Sequence, residues 1–279
     1  MENYIRFQQK RELGEILSDS FAFIRQNLKP LFRVLVKTSG IPFLILLFSQ
    51  AYYQYMILVD GPQSIFGSGI IALLVLLLAT LFYYGFSSST LLQFVRHYEA
   101  GKGQVVESEV INHAKASTGN MILLFIVTYL LFIVGLVFLI IPGIYLIVPI
   151  LLSFPLLILR NLSVGNALSQ AFSLCKGNWW VTFGTLFVIG LILGIASFIF
   201  QAPAIIFQTA VPLFGDMDFS NGFSSPFAII FILLTAVGSS ASYVFYLIMI
   251  IAIAFVYYDL DEEQNKTGLK ERINQLDIQ

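Results

Sequence analysis

Six long stretches of apolar residues, separated by shorter polar segments, dominate the pattern of the chain. A helix rises about 1.5 Å per residue, so roughly 20 residues cross a hydrocarbon core of about 30 Å. Because backbone groups in lipid must pair within their own segment, each stretch is predicted to be helical. We predict one all-α transmembrane domain over residues 1–279, an integral membrane bundle of six transmembrane helices at residues 37–58, 70–95, 120–141, 144–160, 180–207 and 227–257.

The third and fourth stretches form one run, with no charged side chain between Gly119 and Arg160. Pro142 and Gly143 lie in its middle, and both residue types favour turns. A single helix through the run would be roughly 60 Å long, twice the hydrocarbon thickness. We therefore predict a structural turn at Pro142-Gly143 on the outer surface, with a re-entrant loop as the alternative.

Two shorter segments, residues 13–28 and 164–175, carry apolar residues at spacings of three and four. This spacing is typical of a helix with one apolar face. We predict that both are amphipathic helices in the cytoplasmic headgroup region, where basic residues can meet anionic membrane lipids. The alternative is that their charged side chains form a solvated face with no specific partner.

The two amphipathic segments match each other at an offset of 151 residues, with six identities in nineteen positions. A weaker copy at an offset of 93 keeps Asn120 and Phe125. The pattern predicts up to three parallel repeats, each an interfacial helix followed by a hairpin. The alternative is that interfacial helices resemble one another because lipid selects the same residue types. The matched residues of the proposed interfacial repeat are Gly14, Leu17, Phe21, Arg25 and Asn27 in the first copy, and Gly165, Leu168, Phe172, Lys176 and Asn178 in the second.

Small residues in the last two stretches predict close helix packing. Gly190 and Gly194 form a GxxxG pattern, which lets a neighbouring helix backbone approach. Gly238 and Ser242 belong to a second patch of small residues. We expect all four to pack against other helices of the chain, with contact between copies as the second interpretation of the GxxxG pattern. The oligomeric state is left open.

Composition excludes several classes of site. The chain is 58% hydrophobic and 11% charged, with a formal net charge of -1, which gives no reason to expect a nucleic-acid partner. Cys175 is the only cysteine, so no intramolecular disulfide can form, and we expect a small buried or interfacial thiol. His97 and His113 are the only histidines, and we interpret them as solvated loop residues rather than metal ligands.

The basic residues define an orientation. In the six-span arrangement, all fifteen Lys and Arg fall on one side or at its interface, while the three opposite turns carry only Asp60, Asp216 and Asp218. Because short cytoplasmic loops carry an excess of Lys and Arg, we predict that both termini are cytoplasmic.

The segments 142–184, 14–32 and 255–269, with the Pro-Gly-Ile-Tyr turn and the stretch from Ala167 to Trp180, resemble a known family. They are similar to bacterial membrane proteins related to the membrane domain of glycerophosphodiester phosphodiesterases. The resemblance implies a multi-pass fold in the bacterial inner membrane. It implies no agreed activity for this domain by itself.

The sequence offers no catalytic pattern. A fused phosphodiesterase would need a soluble metal-binding barrel, for which there is no room, and P-loops, dinucleotide fingerprints and HExxH are missing. We therefore expect no enzymatic activity, no cofactor and no metal site. The first hypothesis is an accessory or scaffold component of a membrane complex, with another inner-membrane protein as partner. The alternative is a carrier or flippase-like protein for lipid or another apolar molecule. Polar residues within the stretches are expected to make helix-to-helix hydrogen bonds, namely Gln50, Gln54, Thr128, Ser153, Gln201 and Ser239.

The orientation is testable by cysteine labelling from outside the cell in a Cys175→Ser background. A cysteine at Ser64 or Ser220 should react with an impermeant maleimide, because both positions fall in predicted outer turns. A cysteine at Ser108 or Ser163 should react only after the membrane is opened. Reaction of Ser108→Cys in intact cells would contradict the six-span orientation.

Overall fold

The computed structural model describes residues 4–60, 67–138, 140–210, 226–266 and 270. The predicted outer turns at 61–66 and 211–225, with Asp216, Asp218 and the Asn221-Gly222 pair, lie outside the described residues. So does most of the predicted tail after Lys266.

The described residues are all-α, as predicted, and form eight helices. Six of these helices are long and apolar enough to cross a membrane, and each contains most of one predicted span. The helices are α1 (Leu13–Gln26), α2 (Leu28–Asp60), α3 (Ser68–Ala100), α4 (Glu107–Phe138), α5 (Ile140–Leu159), α6 (Val164–Leu174), α7 (Trp179–Ala210) and α8 (Pro226–Asn265).

Several helices extend well past their predicted ends. The third span was predicted to begin at residue 120, but α4 begins at Glu107 and continues without a break into the apolar run. The sixth span was predicted to end at residue 257, yet α8 continues to Asn265 and Asp261 is buried. Both errors have one cause. Hydropathy indicates where the apolar part of a span ends, but the helix can continue into a polar segment whose side chains contact water or other parts of the protein.

The helices α4 and α5 form the predicted hairpin, but the two residues predicted to turn are helical. Residue 139 lies outside the described residues, and Pro142 and Gly143 belong to the first turns of α5, which begins at Ile140. Proline is tolerated in a first helical turn because its missing N–H would have no partner there. A Cβ on Gly135 would lie 3.1 Å from the Gly143 Cα, so glycine permits close backbone approach. Placement of the hairpin tip at the outer surface stays a prediction.

The short helices α1 and α6 carry matched features. Their buried residues are Ile16, Ser20 and Phe23 in α1, and Ala167, Ala171 and Leu174 in α6, again at an offset of 151. Asn27 and Asn178 each precede a long helix, and their carbonyl oxygens accept hydrogen bonds from the backbone N–H groups of Leu31 and Thr182.

The other matched residues of these helices lie outside the buried stripes. Gly14 and Gly165 are each the second residue of their helix, and a methyl group on either would meet no atom within 4 Å among the described residues. Leu17, Leu168 and Phe172 are half-buried, while Phe21, Arg25 and Lys176 are exposed. The apolar stripe of α1 is therefore rotated from the predicted one, since Phe23 replaces Phe21 in the interior. The threefold repeat itself stays a prediction.

The chain groups into two compact units. Unit 1 comprises Met1–Thr38, Gly85–Gly190 and Leu247–Gln279. Unit 2 comprises Ser39–Tyr84 and Leu191–Tyr246. Unit 1 therefore contains α1, α4, α5 and α6 entirely, while α2, α3, α7 and α8 each contribute residues to both units.

Of the four residues predicted to pack against other helices, two contact a neighbouring helix in the structure. Gly238 lies against α7 as expected, because its Cβ would be 3.0 Å from the Phe200 carbonyl oxygen. Ser242 accepts a hydrogen bond from the Gln201 amide at 2.9 Å, which is the expected helix-to-helix bond. A methyl group at Gly190 or Gly194 would meet no atom within 4 Å among the described residues, so close packing at these two positions stays a prediction.

The hairpin contact generates a stability prediction. Gly135→Ala should destabilise the protein by roughly 1–3 kcal/mol, because the new methyl group would overlap the facing backbone of α5. Gly119→Ala, in the same helix, is the control, since its Cβ would meet no atom within 4 Å in the described chain. Thermal unfolding in detergent measures both variants. Equal stability of the two would contradict the close approach at Gly135.

Candidate functional site

The N-terminal segment before α1 is held against α8 by a buried arginine. Arg11 is only 6% exposed and donates to the Asp19 carboxylate and the Phe7 carbonyl oxygen, each at 2.8 Å. Its guanidinium also donates to the Arg6 carbonyl oxygen and lies 4.6 Å from the centre of the Phe255 ring. The Arg11 backbone N–H donates to the Asp259 carboxylate at 2.7 Å. We call this set of contacts the arginine clasp.

An aromatic cluster accompanies the clasp. The Phe7 ring is fully buried and stacks on Phe255 with ring centres 4.1 Å apart. It also meets the edges of Phe23 and Tyr98 at 5.2 and 6.2 Å. Buried aromatic pairs of this kind contribute beyond their area, so a segment outside any helix becomes part of the core of unit 1.

A second arginine ties the end of α5 to the end of α8. Arg160 pairs with the buried Asp261 carboxylate and donates to the Tyr257 hydroxyl at 2.8 Å and to the Gln170 amide oxygen at 3.2 Å. Burial acts to lower the pKa of Arg160, but Tyr257 and Asp261 outweigh it and raise the pKa. The Arg160 guanidinium therefore stays charged.

Three basic side chains line a cleft of about 510 Å³ at the end of α3. Within the described part of the chain, Glu99 is the only carboxylate lining it. Its Oε2 accepts hydrogen bonds from the Tyr4 hydroxyl at 2.8 Å and the Phe7 N–H at 3.2 Å. Burial and the adjacent Glu99 raise the pKa of Tyr4, which keeps its hydroxyl a donor. The lining, which we call the basic cleft, consists of Tyr4, Arg6, Gln8, Arg96, Glu99, Ala100, Lys102 and Tyr258.

The turn after α3 presents Lys102 in an unusual conformation. The N–H groups of Lys102 and Gly103 donate to the carbonyl oxygens of Glu99 and Tyr98, which is the Schellman pattern of a helix end. Lys102 occupies the left-handed position of this motif, with φ of 47°. Glycine or asparagine is usual there, and a lysine costs roughly 1 kcal/mol.

A second cavity, of about 370 Å³, lies between α3 and α4. His97 and His113 are stacked there, with Nε2 of the first 2.8 Å from Nδ1 of the second. Both residues are on helices, so the prediction of solvated loop histidines was wrong; α3 and α4 extend through the polar segments. Among the described residues, no group of three His, Cys, Asp or Glu is placed to hold a metal ion.

Gln93 also lines this second cavity. It is 4% exposed, and its Oε1 atom has no hydrogen-bond partner in the part of the chain that the structure describes. The Gln93 amide nitrogen donates to the Ser117 hydroxyl at 3.2 Å.

Unit 2 contains a smaller cavity, of about 200 Å³, lined in part by polar side chains. Of the predicted polar candidates, Gln54, Gln201 and Ser239 line it together, with Gln208 and Thr235. Thr128 and Ser153 instead bond to carbonyl oxygens of their own helices, so for them the expected helix-to-helix bond was wrong. Short hydroxyl side chains reach the preceding helical turn more easily than a neighbouring helix.

Cys175 is buried, as expected for a structural thiol. Burial raises its pKa to about 12, so the thiol stays protonated at neutral pH.

Sequence reasoning missed the arginine clasp and the basic cleft. Arg11 lies outside the predicted amphipathic segment 13–28, and the bond from its backbone N–H to Asp259 joins residues 248 positions apart. One local signal for the cleft was present. Gly101-Lys102-Gly103 brackets a lysine with glycines directly after a helix, which marks a C-terminal cap.

Comparison with known proteins gives one match. A family model described as the membrane domain of glycerophosphoryl diester phosphodiesterase matches residues 120–279. No curated protein and no solved structure matches the chain. The matched range covers more than half of the chain and includes all of α5, α6, α7 and α8.

The arginine clasp predicts a large effect from a single substitution. Arg11→Leu should destabilise the protein by about 2–4 kcal/mol, because buried carbonyl oxygens and the Asp19 carboxylate would lose their donors. Arg11→Lys should rescue little of this loss, since one ammonium cannot reproduce the planar fork.

The matched control is Lys10→Leu. Lys10 is 69% exposed in its side chain and pairs with Glu263 at 3.4 Å, so its removal should cost less than about 1 kcal/mol. Thermal unfolding in one detergent measures all three variants. Similar losses for Arg11→Leu and Lys10→Leu would show that the clasp is not a structural centre.

Proposed function

Because the chain belongs to the family of the membrane domain of glycerophosphoryl diester phosphodiesterase, we propose that it is a non-enzymatic accessory or scaffold protein of the bacterial inner membrane. The family is described as the membrane domain of an enzyme, which is the part that resides in the bilayer. A chain of this kind can hold or orient another protein without carrying out chemistry itself.

The observation that carries the proposal is how the charged residues of unit 1 are used. Arg11 and Arg160 each connect separate elements of unit 1. They form ion pairs with Asp19 and Asp261, respectively. Arg33 and Glu107 make a further ion pair at 2.7 Å between α2 and α4. Such contacts fix the helix ends in one arrangement, which suits a docking platform better than a carrier that must alternate between two arrangements.

The exposed faces of α1 and α6 are the proposed docking surfaces. Ser18 and Ser169 occupy matched exposed positions, as do Arg25 and Lys176. With the basic residues on the cytoplasmic side, both faces and both termini would be cytoplasmic. A partner would there meet two similar surfaces, each polar in the middle and basic at its end.

A lipid carrier is the second candidate, and the polar cavity of unit 2 favours it. Gln54, Gln201 and Gln208 would give a polar group passing through lipid several hydrogen-bonding partners. The cavity volume of about 200 Å³ is below the roughly 300–1,000 Å³ of usual small-molecule sites. It is better suited to a few water molecules that satisfy the amides, so the scaffold remains our first proposal.

The scaffold proposal is tested by affinity purification in mild detergent, with partners identified by mass spectrometry. The double variant Ser18→Arg and Ser169→Arg should lose at least about tenfold of a specifically bound membrane protein, because two bulky charges would enter the docking faces. The control is Ser108→Arg, the same change at an exposed position in the first turn of α4.

Two outcomes would contradict the scaffold. One is recovery of the protein without any specific partner from native membranes. The other is lipid movement between leaflets in vesicles containing the purified protein alone, which would favour the carrier.

A further inference from the structure

We propose that the basic cleft at the end of α3 is a binding site for a phosphate group, carried by a small phosphate ester or by a phospholipid headgroup. The first support is charge. Arg6, Arg96 and Lys102 line the cleft, and Glu99 is the only carboxylate among the lining residues that the structure describes. A balance of three cations to one anion favours an anionic ligand.

The carboxylate does not oppose such a ligand strongly. Oε2 of Glu99 is occupied by the Tyr4 hydroxyl and the Phe7 N–H. These two donors fix the position of the carboxylate, and the charges of Arg6, Arg96 and Lys102 outnumber its single negative charge. The Arg96 guanidinium donates from Nη1 to the Ile158 carbonyl oxygen at 3.4 Å, and its remaining N–H groups can donate to a phosphate. Lys102 supplies a point charge.

The backbone at Lys102 is the second, independent support. Glycine would adopt this left-handed conformation at lower energy than lysine does, and Lys102 has a glycine on each side in the sequence. Lys102 in this position lines the cleft. A residue type that is unfavourable for its backbone conformation and lies beside a cavity indicates that its side chain has a function, since it does not improve stability.

Size and surroundings define the ligand class. The volume of about 510 Å³ falls within the range of small-molecule sites. Tyr4, Gln8 and Tyr258 add hydroxyl and amide groups, which suit a phosphate ester with a polar substituent. The cleft lies at the polar end of a candidate membrane span, where phospholipid headgroups are also found.

Lys102→Gly is the informative variant. It removes one cation and gives the turn its preferred residue, so thermal stability without ligand should be unchanged or higher. Binding should weaken by about tenfold, the expected cost of one charge-assisted contact. Arg96→Gln is the second variant, with the same expected loss of binding.

Two controls separate charge from backbone effects. Asn161→Gly replaces another left-handed residue, with φ of 51°, that lies outside the basic cleft. Lys115→Gln removes an exposed cation from α4, also away from the lining. Neither should change binding.

Two arms distinguish the source of the phosphate. In the first, titration calorimetry of the full-length protein in detergent measures binding of inorganic phosphate and glycerol 3-phosphate. In the second, native mass spectrometry measures retention of phosphatidylglycerol, with diacylglycerol as the lipid that lacks phosphate. Binding in the first arm identifies a soluble ester, retention in the second a headgroup, and either supports the site if Lys102→Gly weakens it.

The proposal is overturned if no phosphate compound binds in either arm. It is also overturned if Lys102→Gly and Arg96→Gln bind as well as the unmodified protein, or if Lys115→Gln loses as much as Lys102→Gly. The last result would mean that only the overall charge of the surface matters.

Discussion

A guanidinium group taken out of water keeps its charge, and each of its N–H donors then needs an acceptor. Arg11 meets this demand with the Asp19 carboxylate, two carbonyl oxygens of its own segment and the face of Phe255. These acceptors lie on the N-terminal segment and α1, and the aromatic ring lies on α8. Positioning one cation therefore positions all three elements, and the stacked ring of Phe7 closes the gap between them.

The elements of the fold could be predicted because their signals are local. Six spans follow from length and hydropathy, and α1 and α6 from the spacing of apolar residues. Element boundaries were less accurate where polar residues continue a helix, as at Glu107 and Asn265. Pro142 and Gly143 were predicted to form a turn but belong to α5, because a proline that favours a turn is equally suited to the first turn of a helix.

The site could not be predicted, since it depends on contacts between distant parts of the chain. Charge counting placed Arg6, Arg96 and Lys102 on one side of the membrane, which is a statement about orientation. Their convergence on one cleft requires the N-terminal segment to return over the end of α3, with Tyr4 bonded to Glu99 across 95 residues. No pattern within a short stretch of sequence indicates that the N-terminal segment contacts the end of α3. The same reasoning explains Gly190 and Gly194, whose spacing suggests close packing but does not supply a neighbour.

The contact between Arg11 and Asp259 has a consequence for how the protein is made. Membrane proteins are synthesised from the N-terminus, at roughly 5–20 residues per second. Arg11 therefore leaves the ribosome long before its partners on α8 exist. Throughout that interval the Phe7 ring and the Arg11 backbone N–H lack Phe255 and Asp259, although Asp19 is already present for the Arg11 guanidinium. A chain that stops before α8 therefore lacks part of the packing around its first residues. The N-terminal segment, which is made first, completes its contacts only after α8 has been made.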